Sequence, residues 1–79
     1  MRELDLHGET RHVAKILIEE FINDSLKMEE FEIKIIHGIG TGVLKKEVQN
    51  VLKNNKNVEK YYIDFFNIGQ TIVRLNQKK

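Results

Sequence analysis

Phe31-Glu32-Ile33-Lys34-Ile35-Ile36-His37-Gly38-Ile39-Gly40-Thr41-Gly42-Val43-Leu44-Lys45 is the stretch that decides how the rest of this 79-residue chain is read. Phe31, Ile33 and Ile35 alternate with Glu32 and Lys34, the period of two expected of a strand with one buried face. Ile36 adds a second apolar face near the strand's end, and His37-Gly38 closes the strand. Gly42 then starts a helix, with Thr41 as its expected cap and Leu44, Val48, Val51 and Leu52 on its inner face.

The same layout occurs upstream. Leu4 and Leu6 alternate with Asp5 and His7, Gly8 breaks the strand, and Thr10 is placed to cap a helix. Val13, Ala14, Leu17, Ile18, Phe21 and Ile22 follow at helical spacing as one apolar stripe that ends near Leu26. Downstream, Asn54, Asn55 and Asn57 surround the end of the second helix. Val58 to Phe66 reads as a third strand and Thr71 to Leu75 as a fourth, joined by a turn at Asn67-Ile68-Gly69-Gln70. The order β-α-β-α-β-β favours parallel pairing with right-handed crossovers, and two such crossovers in one direction put both helices on the same face. The expected fold is therefore a two-layer α/β sandwich: a mixed four-stranded sheet with two helices on one face. The other face must tolerate water or a partner. Asp5, Lys34 and Arg74 at alternate positions suit it, whereas Tyr62, Phe66 and Ile36 form an apolar patch there or pack on one another.

Size and composition narrow the function classes. The length allows one domain spanning residues 1–79, complete or as a module of a longer protein. Hydrophobic residues make up 41% and charged residues 32%, the balance of a globular chain. Without cysteine there is neither a disulfide framework nor a thiolate metal site. No apolar run spans a bilayer and the N-terminus carries no secretory core, so no membrane partner and a cytoplasmic location are expected. Net charge is only +1, from 13 basic and 12 acidic residues. That is not the profile of a strongly basic nucleic-acid binder, so any phosphate binding must come from local placement. Lys78-Lys79 reads as a solvated tail.

Local placement is what the two histidine turns offer. In α/β sheets, ligands bind beyond the carboxyl ends of the parallel strands, and His7 and His37 both sit at such ends. Asp5 shares a sheet face with His7, where a carboxylate can fix an imidazole's tautomer or raise its basicity. Gly38, Gly40 and Gly42 let backbone amides turn toward an anion at a helix N-terminus, with Lys45 and Lys46 in the first helical turn supplying full charge. Arg11 and His12 lie near the same edge. A spaced-glycine loop is a weak signal alone, being neither a Walker loop nor a dinucleotide fingerprint. Structural readings stand beside each of these: His7 as a strand-end cap, the glycines as tight-turn geometry, Asp5 as a surface carboxylate paired with Arg74 or a lysine.

The two motifs together, Leu4-Asp5-Leu6-His7-Gly8 followed by Ala14, and Ile35-Ile36-His37-Gly38-Ile39-Gly40-Thr41-Gly42-Val43-Leu44-Lys45, resemble the Smr (small MutS-related) domain. Gly69-Gln70-Thr71-Ile72-Val73-Arg74-Leu75 resembles that family's final Gly-x-Thr-x-Val segment. The Gly-Thr-Gly-x-Leu form looks most like the bacterial type at the C-terminus of the second MutS paralogue, with stand-alone Smr proteins as the other type. The resemblance implies a fold similar to the C-terminal domain of translation initiation factor three. It also implies nucleic-acid binding and, in several members, endonuclease activity. DNA nicking and suppression of recombination are associated with bacterial forms, RNA cleavage at stalled ribosomes with some eukaryotic ones, and rescue of collided ribosomes with the bacterial paralogue. The implied partners are DNA, including branched DNA, or ribosomal RNA, and the implied parent is an ATP-binding, MutS-like dimer.

By position, Asp5 and His7 correspond to the first motif's functional pair, and His37, Gly38 and Gly40 to the second motif. Lys45 stands where many bacterial relatives carry arginine, and lacks arginine's bidentate fork. Val13 replaces an acidic residue often found before Ala14, and the family's glycine-rich stretch before the last strand is reduced to Gly69. The leading expectation is a phosphodiester-cleaving site with catalytic Asp5, His7 and His37. Phosphate would be bound by Arg11, Gly38, Gly40, Thr41, Gly42, Lys45 and Lys46. The rival is a binding module that grips the same phosphates without cutting. A divalent metal on Asp5 and His7 stays open as a cofactor, although one carboxylate with imidazoles is a thin ligand set for magnesium.

Overall fold

A computed structural model describes residues 1–77; the Lys78-Lys79 tail lies outside them. The elements are β1 (Arg2–Asp5), α1 (Arg11–Lys27), β2 (Glu32–Ile36), α2 (Val43–Lys53), β3 (Val58–Ile63) and β4 (Gln70–Leu75). The sheet order is β1-β2-β4-β3. β1 pairs parallel with β2, and β4 runs antiparallel to both its neighbours, β2 and β3. The closing hairpin therefore inserts the last strand into the middle of the sheet, and the carboxyl ends of β1, β2 and β3 share one edge. No helix of the described residues is long and apolar enough to cross a membrane.

One apolar core joins both helices to the same sheet face. Ala14, Ile18, Phe21 and Ile22 of α1 and Val48, Val51 and Leu52 of α2 pack with Leu6, Ile33, Ile35, Val73 and Leu75. Fully burying a residue such as Ile18 or Ile22 stabilises the fold by roughly 1.5–3 kcal/mol relative to exposure, which lets a short chain hold two layers. Val13, expected in the stripe, is 38% exposed, and the buried stripe begins at Ala14. Arg2 fastens β1 to α1, its guanidinium lying 4.6 Å from the Phe21 ring centroid and donating to Ser25 Oγ at 2.9 Å.

The helix ends follow local chemistry. Thr10 caps α1, its hydroxyl accepting from Val13 N at 3.2 Å. At the other end Glu29 N donates to Leu26 O and Glu30 N to Ser25 O, a Schellman closure with Glu29 at φ 57°. The helix ends at Lys27, one residue past Leu26, and a glutamate rather than a glycine adopts the left-handed conformation that closes it. α2 is capped by Gly42, not Thr41. Thr41 stands one residue further out, its hydroxyl 3.4 Å from Val43 N. β3 stops at Ile63 rather than Phe66, since the Asp64 carboxylate accepts from Phe66 N at 2.9 Å and turns the chain out of the sheet.

On the open face, Glu3, Lys34, Ile72 and Tyr62 form one cross-strand row. The ion pair there is Lys34–Glu3 at 3.8 Å, and no Asp5–Arg74 pair forms. Ile36 and Tyr62 lie on this face, but Phe66 does not join them; it projects from the β3–β4 turn.

Candidate nucleic-acid interface

Both histidine turns leave the sheet at the same edge. Register fixes this: Asp5 pairs with Ile36, and Leu6 N donates to Ile36 O at 2.8 Å. The residues that follow each strand are thus neighbours across the edge, but the two histidines have different surroundings.

His37 is 5% exposed and both its ring nitrogens are engaged. Nδ1 lies 2.8 Å from Gly38 O and Nε2 2.8 Å from Thr71 Oγ. A carbonyl oxygen only accepts, so Nδ1 carries a proton; in the neutral ring Nε2 then accepts from the Thr71 hydroxyl. Thr71 is fully buried on β4. The imidazole thus pins the start of the glycine loop to the central strand. A second tie reinforces it, because His37 N and Gly38 N both donate to Gly69 O, at 3.0 and 2.8 Å. A Cβ built on Gly69 would lie 3.5 Å from the Gly38 backbone, so the last loop of the chain runs directly against the second motif.

His7 is exposed, and its ring has no hydrogen bond among the described residues. Asp5 acts on its backbone instead: Asp5 Oδ1 accepts from His7 N at 2.9 Å. The expected carboxylate–imidazole contact is absent, since the carboxylate folds back on the main chain two residues on. Asp5 thereby shapes the turn that carries His7, which closes with Glu9 N donating to Leu6 O.

Between the N-termini of α1 and α2 lies a cleft of about 310 Å³, lined by Glu9, Thr10, Arg11, His37, Ile39, Gly40, Thr41, Gly42, Val43, Leu44 and Lys45. Of the sequence-predicted residues it collects Arg11, His37, Gly40, Thr41, Gly42 and Lys45. Asp5, His7 and Gly38 lie outside it, and Lys46 lines a neighbouring depression with Arg11 and Glu47. Among the described residues the amides of Ile39, Gly40, Thr41, Gly42, Leu44 and Lys45 donate to no protein acceptor, whereas Gly38 N is turned inward to Gly69 O. Gly42 makes this possible: at φ 84° it redirects the chain from loop to helix in a conformation that costs other residues roughly 1–2 kcal/mol. Free amides, two helix N-termini, a guanidinium and an ammonium outweigh the one carboxylate of the lining, Glu9, and make this edge suited to an anion.

The donor set does not suit a resident divalent cation. Among the described residues no three His, Asp or Glu side chains are grouped to hold a metal. Asp5 is the one carboxylate beside the two motif histidines, and one of its oxygens is already committed to His7 N, so it offers a hard cation a single remaining oxygen.

One residue escaped sequence reading. Asp64 organises the β3–β4 turn, accepting from the Gln70 side chain and from Phe66 N. The Gln70 hydrogen bond, then the Phe66 amide, hold its carboxyl below the ordinary carboxylate value, with Lys34 adding to the effect. The signal available in the sequence was an aspartate directly after Tyr61-Tyr62-Ile63, a residue type that accepts from the backbone two residues on.

An open-faced α/β sandwich whose parallel strands end in an anion-receiving edge is the class these features define. The Smr domain family model matches residues 4–76, and the chain belongs to that family. An Endonuclease MutS2 of Geobacillus sp. is 39% identical over 77 residues, covering 98% of this chain and 10% of that protein. An Endonuclease MutS2 of Halalkalibacterium halodurans is 37% identical over 76 residues, covering 92% and 10%. The chain thus spans about a tenth of the length of these curated relatives. Among solved structures, the Smr domain of Thermus thermophilus MutS2 superposes with a TM-score of 0.94 at 25% identity, covering 98% of this chain and all of that one. YdaL, a stand-alone small MutS-related protein from Escherichia coli, gives 0.89 at 20% identity over 95% and 64%, a likeness of fold alone.

Proposed function

We propose that this domain binds nucleic acid at the carboxyl edge of its sheet and nicks the phosphodiester backbone there. The observation that carries the reading is the cleft between the two helix N-termini, where Arg11, Lys45 and the free amides of the 39–42 loop converge. A backbone phosphate seated there meets fixed dipoles and two positive charges against the single Glu9 carboxylate, a balance that also favours the extra negative charge that develops during displacement at phosphorus. His7 is the proton-transfer group: its ring is exposed and unencumbered, on a turn held by Asp5. It takes the proton from the attacking water, or from the 2′-hydroxyl if the strand is RNA; as the new P–O bond forms, the P–O bond to the leaving ester oxygen breaks, and that oxygen takes its proton from solvent water. Asp5 and His37 are positioning residues, Asp5 for the His7 turn and His37 for the glycine loop. Similarity to proteins named Endonuclease MutS2 supports the nicking reading; the substrate we propose is DNA, and the setting a cytoplasmic, MutS-like, ATP-binding dimer that suppresses recombination.

One observation favours a second reading. With both nitrogens of His37 committed, His7 is the one imidazole of the two motifs whose ring has no hydrogen bond among the described residues, so the second proton-transfer group those motifs offered is already engaged. A non-catalytic module that docks on ribosomal RNA to rescue stalled or collided ribosomes would need only the anion edge. Nicking of supercoiled plasmid and of RNA by wild type and His7→Ala, beside binding of the same substrates, separates the two. The nuclease reading predicts that His7→Ala loses cleavage by about 100-fold or more, the lower range of general acid–base catalysis, while still binding. Equal cleavage by both proteins refutes the role of His7. Binding without cleavage by wild type selects the docking module.

A further inference from the structure

Phe65 and Phe66, at the tip of the β3–β4 turn, are 89% and 93% exposed, with Ile68 beside them at 56%. Two almost bare phenyl rings in one turn are costly to keep in water, and nothing in the fold needs them. The rings meet edge to face, centroids 5.7 Å apart and planes at 84°. One face of one ring is covered by the other ring's edge; at 89% and 93% exposure each ring still has an open face, and the two open faces point in different directions.

The turn presenting them is stiff. Asp64 Oδ1 accepts from Phe66 N, Asn67 N donates to Asp64 O, and Asn67 Oδ1 accepts from Gly69 N at 3.0 Å. Gln70 N donates to Asn67 O, and the Gln70 side chain donates to the Asp64 carboxylate. That carboxylate is consumed within the turn rather than left facing a ligand. The same turn is tied to the anion edge, because Gly69 O accepts from both His37 N and Gly38 N. On the adjoining open face, Lys60 and Tyr62 of β3 pair with Arg74 and Ile72 of β4.

We infer that Phe65 and Phe66 are a stacking platform for unpaired bases of the nucleic acid whose backbone enters the anion edge, so that the domain selects single-stranded or locally opened segments over intact duplex. The inference rests on the nucleic-acid-binding reading and adds the substrate class. A paired base offers no free face to a phenyl ring, whereas an unpaired base offers one whatever its identity. A rigid aromatic tip joined through Gly69 to an edge that carries Arg11, Lys45 and free amides at a helix N-terminus matches a nucleic-acid strand better than an apolar protein surface. The tip is also too small by itself for a standard protein interface, which takes about 800 Å² from each partner.

The test is fluorescence anisotropy of labelled oligothymidylate, oligouridylate and a blunt DNA duplex with the 79-residue chain. The proteins are wild type, Phe65→Ala/Phe66→Ala, Phe65→Leu/Phe66→Leu and Arg11→Ala/Lys45→Ala. Circular dichroism checks that all are folded, which the exposure of both rings favours. Expected are tighter binding of wild type to single strands than to duplex, and a loss of about tenfold or more on single strands for both phenylalanine variants. Duplex binding of those variants stays unchanged, and Arg11→Ala/Lys45→Ala weakens on every probe. Undiminished single-strand binding by the alanine or the leucine variant overturns the stacking role while leaving the anion edge intact. So does an equal loss on duplex and single strand, or self-association of wild type that the alanine variant abolishes with no change in nucleic-acid affinity. No binding of wild type to any probe overturns the nucleic-acid reading itself.

Discussion

Replacing Thr71 by valine would test whether the glycine loop hangs from the core. The two side chains have nearly the same shape, so no cavity opens. What changes is the hydroxyl, which lies 2.8 Å from His37 Nε2 in a position with no access to water. Leaving a buried polar atom without its partner costs about 1–3 kcal/mol. In a domain of this size each kcal/mol moves the melting temperature by about 4–8 °C. Thr71→Val should therefore melt roughly 4–24 °C lower, read by far-ultraviolet circular dichroism. A second effect should accompany the first. His37 also donates from Nδ1 to Gly38 O, so a ring released at Nε2 loosens the loop, and the amide resonances of Gly38, Gly40 and Gly42 should shift although none touches Thr71. Thr71→Ser is the control. It keeps the hydroxyl and loses one methyl, about 0.8 kcal/mol, and should leave the loop resonances in place. A valine variant that melts like wild type with unmoved loop amides would refute the claim that His37 is the anchor.

Asp64→Ala removes the acceptor that organises the β3–β4 turn. The folded carboxyl sits below its ordinary value of 3.8, so its stabilisation is complete above that value and is lost as pH falls through the lower folded value. The variant should melt below wild type at pH 6, and the gap should close as the pH is taken well below 3.8; a gap that persists in acid contradicts the assignment. Glu29→Gly relieves the left-handed conformation at the end of α1 and should raise stability by about 1 kcal/mol, a gain readable in the same melts. Lys45→Ala should weaken binding and lower the slope of log affinity against log salt by about 0.7 for single strands or 0.9 for duplex DNA, one phosphate contact's worth. An unchanged slope would place Lys45 away from the backbone.

Much of the fold was legible because its determinants are local. The alternation at Phe31–Ile35, the helical spacing from Ala14 to Ile22 and the glycines at each strand end are decided within a few residues of themselves, and all six elements follow from them. Three boundaries were not. Phe65 and Phe66 have strand propensity, but the turn imposed by Asp64 overrides it. Glu29 gives no sign that it will adopt a left-handed conformation. Thr41 looks like a cap, yet Gly42 does the capping because the chain must reverse direction there. The candidate residues do gather at one edge, as the two motifs imply, but which of them are free depends on partners far away in sequence. Thr71 takes His37 Nε2, Gly69 takes the Gly38 amide, and the Asp5 carboxylate meets the His7 backbone rather than its ring. No spacing rule encodes those choices.

Titration of the isotope-labelled chain with oligothymidylate, followed through its amide and imidazole resonances, tests the central claim most directly. The account predicts shifts concentrated at Arg11, Gly40, Thr41, Gly42, Lys45 and the His7 ring, with the His37 ring little changed. Shifts confined to the opposite end, around Asn54 to Asn57, or to the helix surfaces away from the strand ends, would contradict it.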